Sequence, residues 1–534
     1  MSGYVDRWMI SQQNKYRWLR LLLLAQLVVI ATAQDEQAGC ARARAHLSKA
    51  QTAIAAQDPT TAIRELNEAV QVAPRCAEAY LLLGLTEFHS GSTADAIRHY
   101  RRALLLQPHS YSGHYDLALA YLKEQKLQEA RSELEVAVKL DPSQADATYN
   151  LGIVLQELGH PAEAIIKFRQ ARTLDPKRPD VTFNIVRAEM GLGHVAAARE
   201  AATDSAKQFG TDAQWCTAIG QLFLQKNQPK DAAPYLERAL RSHPEDAQLR
   251  HQLAVAYLQA GQPDEVLVTI VEPKTSDDRY MRASAYYLAH RFPEADQESA
   301  EALALAPDSP QILVLRTRLL QRAGNQEEAI QTAKKAIGLA PDWDQPYYLA
   351  GVSLYFTRLY EEAEKNLEKA LELNPGSSRA LFVQYITLAN LGRLNDAEAS
   401  LRRAIALQPG NARLHCHLGI LLGRRNRVSE AEQSLRKAIQ LKPEYGLSHY
   451  ELAKLLASSN HLQPAALQLE QAIKYDPGLS AAYYQLGRIY MKLGKPEKSQ
   501  RMLAEFTRLR RQDEQDPHDD QAHEDDAKKE TEVQ

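Results

Sequence analysis

Along this chain apolar side chains return every three or four residues, in runs of about a dozen, with short polar turns between the runs. That is the period of a helix burying one face. The runs come in pairs, and prolines mark the pair length. Pro74, Pro108, Pro142, Pro176, then Gly210 and Pro244 stand 34 residues apart. After one short step to Pro273 the same spacing resumes at Pro307, Pro341, Pro375, Pro409, Pro443 and Pro477. With this proline as position 32 of a 34-residue unit, fourteen units fill residues 43 to about 511.

Within the unit the sequence predicts one helix over positions 2 to about 14 and a second over about 17 to 30. A short turn, often with glycine, joins them (Gly159-His160-Pro161, Gly494-Lys495-Pro496). Proline at 32 stops the second helix, because it lacks an N–H and clashes with the preceding turn. Position 20 is Ala in twelve units, position 27 is Ala in eleven, and position 8 is Gly or Ala in eleven. Small residues there let two helices cross closely. Large ones at 7, 11 and 24 (Leu151, Phe168, Leu435) fill the space that remains. One such pair cannot bury its apolar face alone, and stacking on its neighbours does so.

Units such as Ala145–Arg178, with Leu151-Gly152, Ala164, Phe168, Ala171 and Pro176, resemble the tetratricopeptide repeat. So does Ser480–Asp513, with Tyr483, Leu486-Gly487 and Tyr490. The resemblance covers nearly all of the chain outside its ends. It implies an all-α, right-handed α-solenoid whose first helices line a concave groove. It also implies a non-catalytic scaffold that holds partner proteins or peptides there. The alternative is a regulatory or substrate-presenting adaptor for a separately encoded envelope enzyme or a secretion or polysaccharide machinery.

Four units depart from the pattern. The unit from Pro179 has Val186, Ala202 and Gly210 at marker positions, and the unit from Ala247 loses five residues, apparently from its second helix. The units from Ser276 and Pro310 put Arg282 and Arg316 where Leu is expected. Residues 262–279 are therefore a candidate hinge between two arrays, 34–273 and 274–511. One continuous superhelix with a local dent is the other reading. The last unit turns polar, as a capping helix would, and residues 512–534 read as a disordered acidic tail.

Composition changes the picture at the ends. Net charge is −3, but residues 512–534 carry ten Asp or Glu against Lys528 and Lys529. The first 33 residues carry +3, which leaves +2 over residues 34–511. No basic stripe of the kind a nucleic-acid binder needs stands out. Leu21–Ile30 is an apolar core behind a basic stretch and closes on Ala31-Thr32-Ala33, which reads as a signal peptide over 1–33. It is short for a membrane span. An uncleaved signal anchor is the rival, and lipidation at Cys40 is disfavoured by Gln37. Export places the chain in a periplasmic or extracellular setting, and the absence of any N-x-S/T sequon points toward a bacterium. In an oxidising compartment Cys40 and Cys76, 36 residues apart, are candidates for a disulfide pinning the first repeat. The other reading is two unrelated small residues. Cys216 and Cys416 are expected as buried thiols.

Position 5 of the first helix is aromatic in eight units: Tyr115, Tyr149, Phe183, Tyr280, Tyr348, Phe382, Tyr450 and Tyr484. The family resemblance places this position toward the groove, as a ladder of rings for a peptide or partner helix. Partial packing on neighbours is the competing reading. Asn150 and Asn184 occupy position 6, where long-array relatives bond a peptide backbone. Leu119 stands where a carboxylate-clamp Asn would be. His415-Cys416-His417 cannot chelate together, since adjacent helical residues point about 100° apart. No nucleotide loop, nucleophile elbow or HExxH motif occurs, and the repeats leave no room for a catalytic domain. The expectation is no cofactor, no metal, no small-molecule substrate and no nucleic acid, with membrane contact only through an uncleaved N-terminal segment.

Overall fold

The structure is a computed structural model that describes residues 40–515, with side chains to Arg511. The expected signal segment lies outside the described residues. Among those residues there are twenty-eight α-helices in fourteen consecutive pairs, one short 3-10 turn at Ala41–Ala43, and no strand. A representative pair is Ala145–Glu157 followed by Pro161–Leu174. None of the described helices is long and apolar enough to cross a membrane.

Local chemistry sets the ends of each helix. Asp58, Ser110 and Asp212 accept backbone N–H bonds from the first turn they precede, satisfying donors the helix itself cannot. Pro161, Pro229 and Pro310 sit at the helix start, where a missing N–H costs nothing. At the far end, Asp175 is extended (φ −134°, ψ 93°). The residue before a proline is driven out of the helical region. Between the two helices, position 15 is left-handed in all fourteen units. Seven of these residues are glycines, and seven are not: Gln57, Gln125, Asn227, His290, Arg358, Asn426 and Asn460.

The small-against-large rule fixes how the pairs cross. A Cβ added to Gly152 would lie 2.6 Å from Phe168 Cε1, and one added to Gly419 would lie 2.5 Å from Leu435 Cγ. Position 8 is therefore small because position 24 of the same pair fills its space. Phe168 is fully buried, with Ala164 and Ala171 beside it.

Apart from Ala247–Gln259, where the two units divide, and the opening pair, each first helix packs against its own second helix and against the second helix before it. Successive first helices also touch, as Pro179–Gly191 touches Ala213–Gln225 and Ala412–Arg424 touches Gly446–Ser458. No two successive second helices among the described residues do so to the same extent. The first helices are thus the tighter, inner row, and three of their sides are covered. What remains open on them is one face, repeated from pair to pair.

The chain divides into two compact units, Met1–Ala256 and Tyr257–Gln534. The division falls within the helix Ala247–Gln259, ahead of the 273/274 boundary read from the sequence. The shortened second helix, Pro263–Thr269, packs on the following helix Ser276–Leu288, as second helices elsewhere in the array do. The candidate hinge 262–279 lies inside the second unit. Arg282, which stands in place of an expected Leu, ties this region down. Its guanidinium donates to Ile270 O (2.7 Å), Glu298 Oε1 (2.7 Å) and the Tyr286 hydroxyl (3.0 Å). A charged side chain thus takes up the carbonyls left by the missing helical turn. The last helix runs Pro496–Gln515, past the expected tail boundary at 511/512. Arg511 occupies position 32 there, so no proline stops the helix.

Candidate peptide-binding face

The open face of the first helices carries the aromatic positions, and the structure divides them. Tyr115, Tyr149, Tyr348 and Phe382 are buried. Phe183, Tyr280 and Tyr450 are half-buried. Tyr484 is 40% exposed. Burial follows from stacking: each ring sits where the next first helix leans on its own.

The two asparagines are tied to those rings. Asn150 Nδ2 donates to the Tyr115 hydroxyl (3.0 Å), and Asn184 Nδ2 donates to the Tyr149 hydroxyl (2.8 Å). Asn184 Nδ2 also donates to Asp180 O (3.0 Å) and is buried. Each bond spans 35 residues, from position 5 of one unit to position 6 of the next. Arg178 lies 4.4 Å above the Tyr149 ring and is itself held by Asp146 and Asp180. Burial, and then the Asp180 charge, pushes the Tyr149 hydroxyl well above its ordinary range. With hydroxyl and ring face both engaged, Tyr149 belongs to the array's own stacking.

The second unit has its own inner cluster. The His417 ring lies 4.9 Å from Phe382 and 5.7 Å from Tyr385. Its neighbour His415 turns the other way, to Pro409 O at 3.0 Å. The carbonyl of the position-32 proline also receives His114 and His449, at 3.0 and 2.8 Å. Position 4 histidine is thus a recurring link between units, which the sequence reading missed. Its signal is a carboxylate or amide nineteen residues on, as in His114 with Glu133 and His449 with Gln468.

Further along the inner row stand cations. Arg424, Lys454, Arg488 and Lys492 are exposed. Lys454 lies 5.3 Å from the Tyr450 ring centre, and Arg488 lies 5.7 Å from that of Tyr484. The outer row also carries charge, but there it is spent on packing. Buried Glu398 accepts from Arg402 (2.8 Å) and Arg427 (2.7 Å), and Arg425 joins them. Burial alone would raise its pKa, yet Arg402 and Arg427 hold it below the ordinary value of 4.5.

At the N-terminal edge Cys40 and Cys76 are joined in a disulfide, with Glu78 alongside. Cys216 and Cys416 are buried thiols, and burial pushes Cys216 up to about 11.

Three models of the tetratricopeptide repeat match this chain. One covers residues 47–112, 115–179 and 386–446, a second 223–278 and 461–519, and a third 344–377. Together they span more than half of it. The chain belongs to the tetratricopeptide repeat family. Residues 180–222 and 279–343 fall outside every match. They include most of the irregular units, yet they fold as the same helix pairs. The family fold is that of a protein-interaction scaffold and is generally non-catalytic.

No curated protein sequence matches the chain. Among solved structures it is similar to the APC/C hetero-tetramer Cut9-Hcn1 (13% identity, 84% of this chain and 96% of that one, TM-score 0.42). It is also similar to yeast Tom70 (18% identity, 81% and 92%, TM-score 0.33). A third is YrrB, described as a tetratricopeptide protein with an unusual peptide-binding site (21% identity, 34% and 95%, TM-score 0.31).

Proposed function

We propose that this protein is a non-catalytic scaffold that binds extended peptides or partner helices along the inner row of its first helices. One observation carries the reading. The inner row is the face that stacking leaves open, and on it stand half-buried or exposed rings (Phe183, Tyr280, Tyr450, Tyr484), two of them, Tyr450 and Tyr484, beside exposed Lys454 and Arg488. Amphipathic rings offer contact area at little conformational cost, and cations beside them add directional polar contacts. The proposal includes work outside the cytoplasm. The Cys40–Cys76 disulfide supports that part, because such bonds persist in oxidising compartments.

A photo-crosslinking residue placed at Tyr484, on the inner row, tests the reading against one placed at Ile166, exposed on a second helix. Partner adducts are expected from position 484 and not from 166. Adducts from 166 alone would overturn it.

A further inference from the structure

The +2 charge over residues 34–511 conceals a strong segregation. Residues 412–511, the last three helix pairs, hold seventeen Lys or Arg against eight Asp or Glu, a net +9. Residues 34–411 are therefore −7. Immediately after the basic pairs come residues 512–534, at −8.

The imbalance is sharpest on the open inner face. Across the first helices Ala412–Arg424, Gly446–Ser458 and Ser480–Lys492 that face presents exposed Arg424, Lys454, Arg488 and Lys492, against Glu451. Glu451 is already engaged by Lys454 at 2.9 Å. On the second helices the balance differs. Arg436 meets Glu432 and Arg508 meets Glu505, each within one helical turn. With Lys454 paired to Glu451, the exposed cations of this face still outnumber its acids by three, which raises the local potential and attracts a polyanion.

We propose that the inner face of the last three pairs is a docking surface for an acidic, extended polypeptide, and that residues 512–534 of the same chain occupy it. This rests on the scaffold reading and names the regulation of that face. Charge complementarity and tether length argue for this occupant. The segment starts where the basic pairs end, and its nineteen residues beyond the last helix, 516–534, would span roughly 65 Å fully extended. First helices packed about 10 Å apart put the whole basic face within that reach. Tethering holds the segment at an effective concentration in the millimolar range. A partner must displace it, so the acidic segment sets a threshold that a more acidic or aromatic-bearing ligand clears.

The test uses the full chain and a fluorescent peptide with the sequence of residues 512–534. Three proteins are compared: the natural chain, a chain whose ten tail carboxylates are changed to Asn and Gln, and that neutral-tail chain carrying Lys454→Glu and Arg488→Glu. The neutral-tail chain is expected to bind the peptide about tenfold more tightly than the natural one, because the tethered competitor is gone. The added pair of substitutions is expected to abolish that gain, and raising salt to weaken binding in all cases. Lys454→Gln with Arg488→Gln repeats the measurement should the charge reversals disturb folding, which circular dichroism reports.

Equal peptide affinity for the natural and neutral-tail chains overturns the resident-tail proposal, while the scaffold reading stands on its own crosslinking test. Binding that survives the inner-face substitutions overturns the assigned surface. A single-stranded oligonucleotide that binds the natural chain as tightly as the neutral-tail chain, and displaces the peptide, makes the face one for nucleic acid and ends the proposal.

Discussion

Between Tyr111 and Gly191 the inner row is closed upon itself except at half-buried Phe183. Tyrosine hydroxyls meet the asparagines of the next unit, and Arg178 is clamped by Asp146 and Asp180 over a ring. Between Ala412 and Lys492 the aromatic positions Tyr450 and Tyr484 are only partly covered, and exposed cations stand beside them at positions 9 and 13. The two stretches share one backbone plan, so the difference lies in side chains alone. A position that faces the groove can be spent on holding neighbouring units together or left for a ligand. Only the partner atom one unit away decides which.

Substitutions can break that contrast. The largest effect belongs to what both stretches share. Phe168→Ala and Leu435→Ala should each cost about 3–4 kcal/mol, read as a fall in the urea midpoint, because each empties the space beneath a glycine. A much smaller loss at either site would mean that the helix crossing tolerates collapse. Cys40→Ser should cost about 3 kcal/mol, confined to the first pair and visible as faster amide exchange there.

Asn184→Ala should cost about 2 kcal/mol, since it leaves the buried Tyr149 hydroxyl without its donor. Lys454→Ala, in the open stretch, should stay within about 0.5 kcal/mol. Equal losses at these two positions would erase the difference between the two stretches.

Glu398 supplies a pH dependence. Its folded pKa is depressed, so its contribution is fully present above its ordinary value of 4.5 and is lost as pH falls through the folded value. Glu398→Gln should remove about 1–2 kcal/mol at neutral pH and flatten the stability curve below pH 4.5. An unchanged acid limb would show that the arginines around it do not matter.

The fold was legible because one steric rule repeats. Proline at 32, alanine at 20 and 27, and a small residue at 8 against a large one at 24 mark most pairs, including some in stretches that family models do not match. The site was less legible. Single positions showed Tyr115 and Asn150 as two separate groove residues. The bond between them needs the 35-residue offset that only stacking supplies. Arg282 looked like a flaw in its unit, and its reason lies in carbonyls eleven and twelve residues earlier. Charge segregation was in the sequence throughout, hidden by summing over the whole body.

The left-handed residue at position 15 has a consequence of another kind. Half of these turns use glycine and half hold a bulkier residue in a conformation costing about 1–2 kcal/mol. The turns lie away from both the ligand row and the buried seams. Exchanging Arg358 or His290 for glycine, or the reverse at Gly392, would tune how readily a single pair frays while its ligand chemistry stays as it is. An array built this way carries fourteen independent set-screws for local opening, one at every bend.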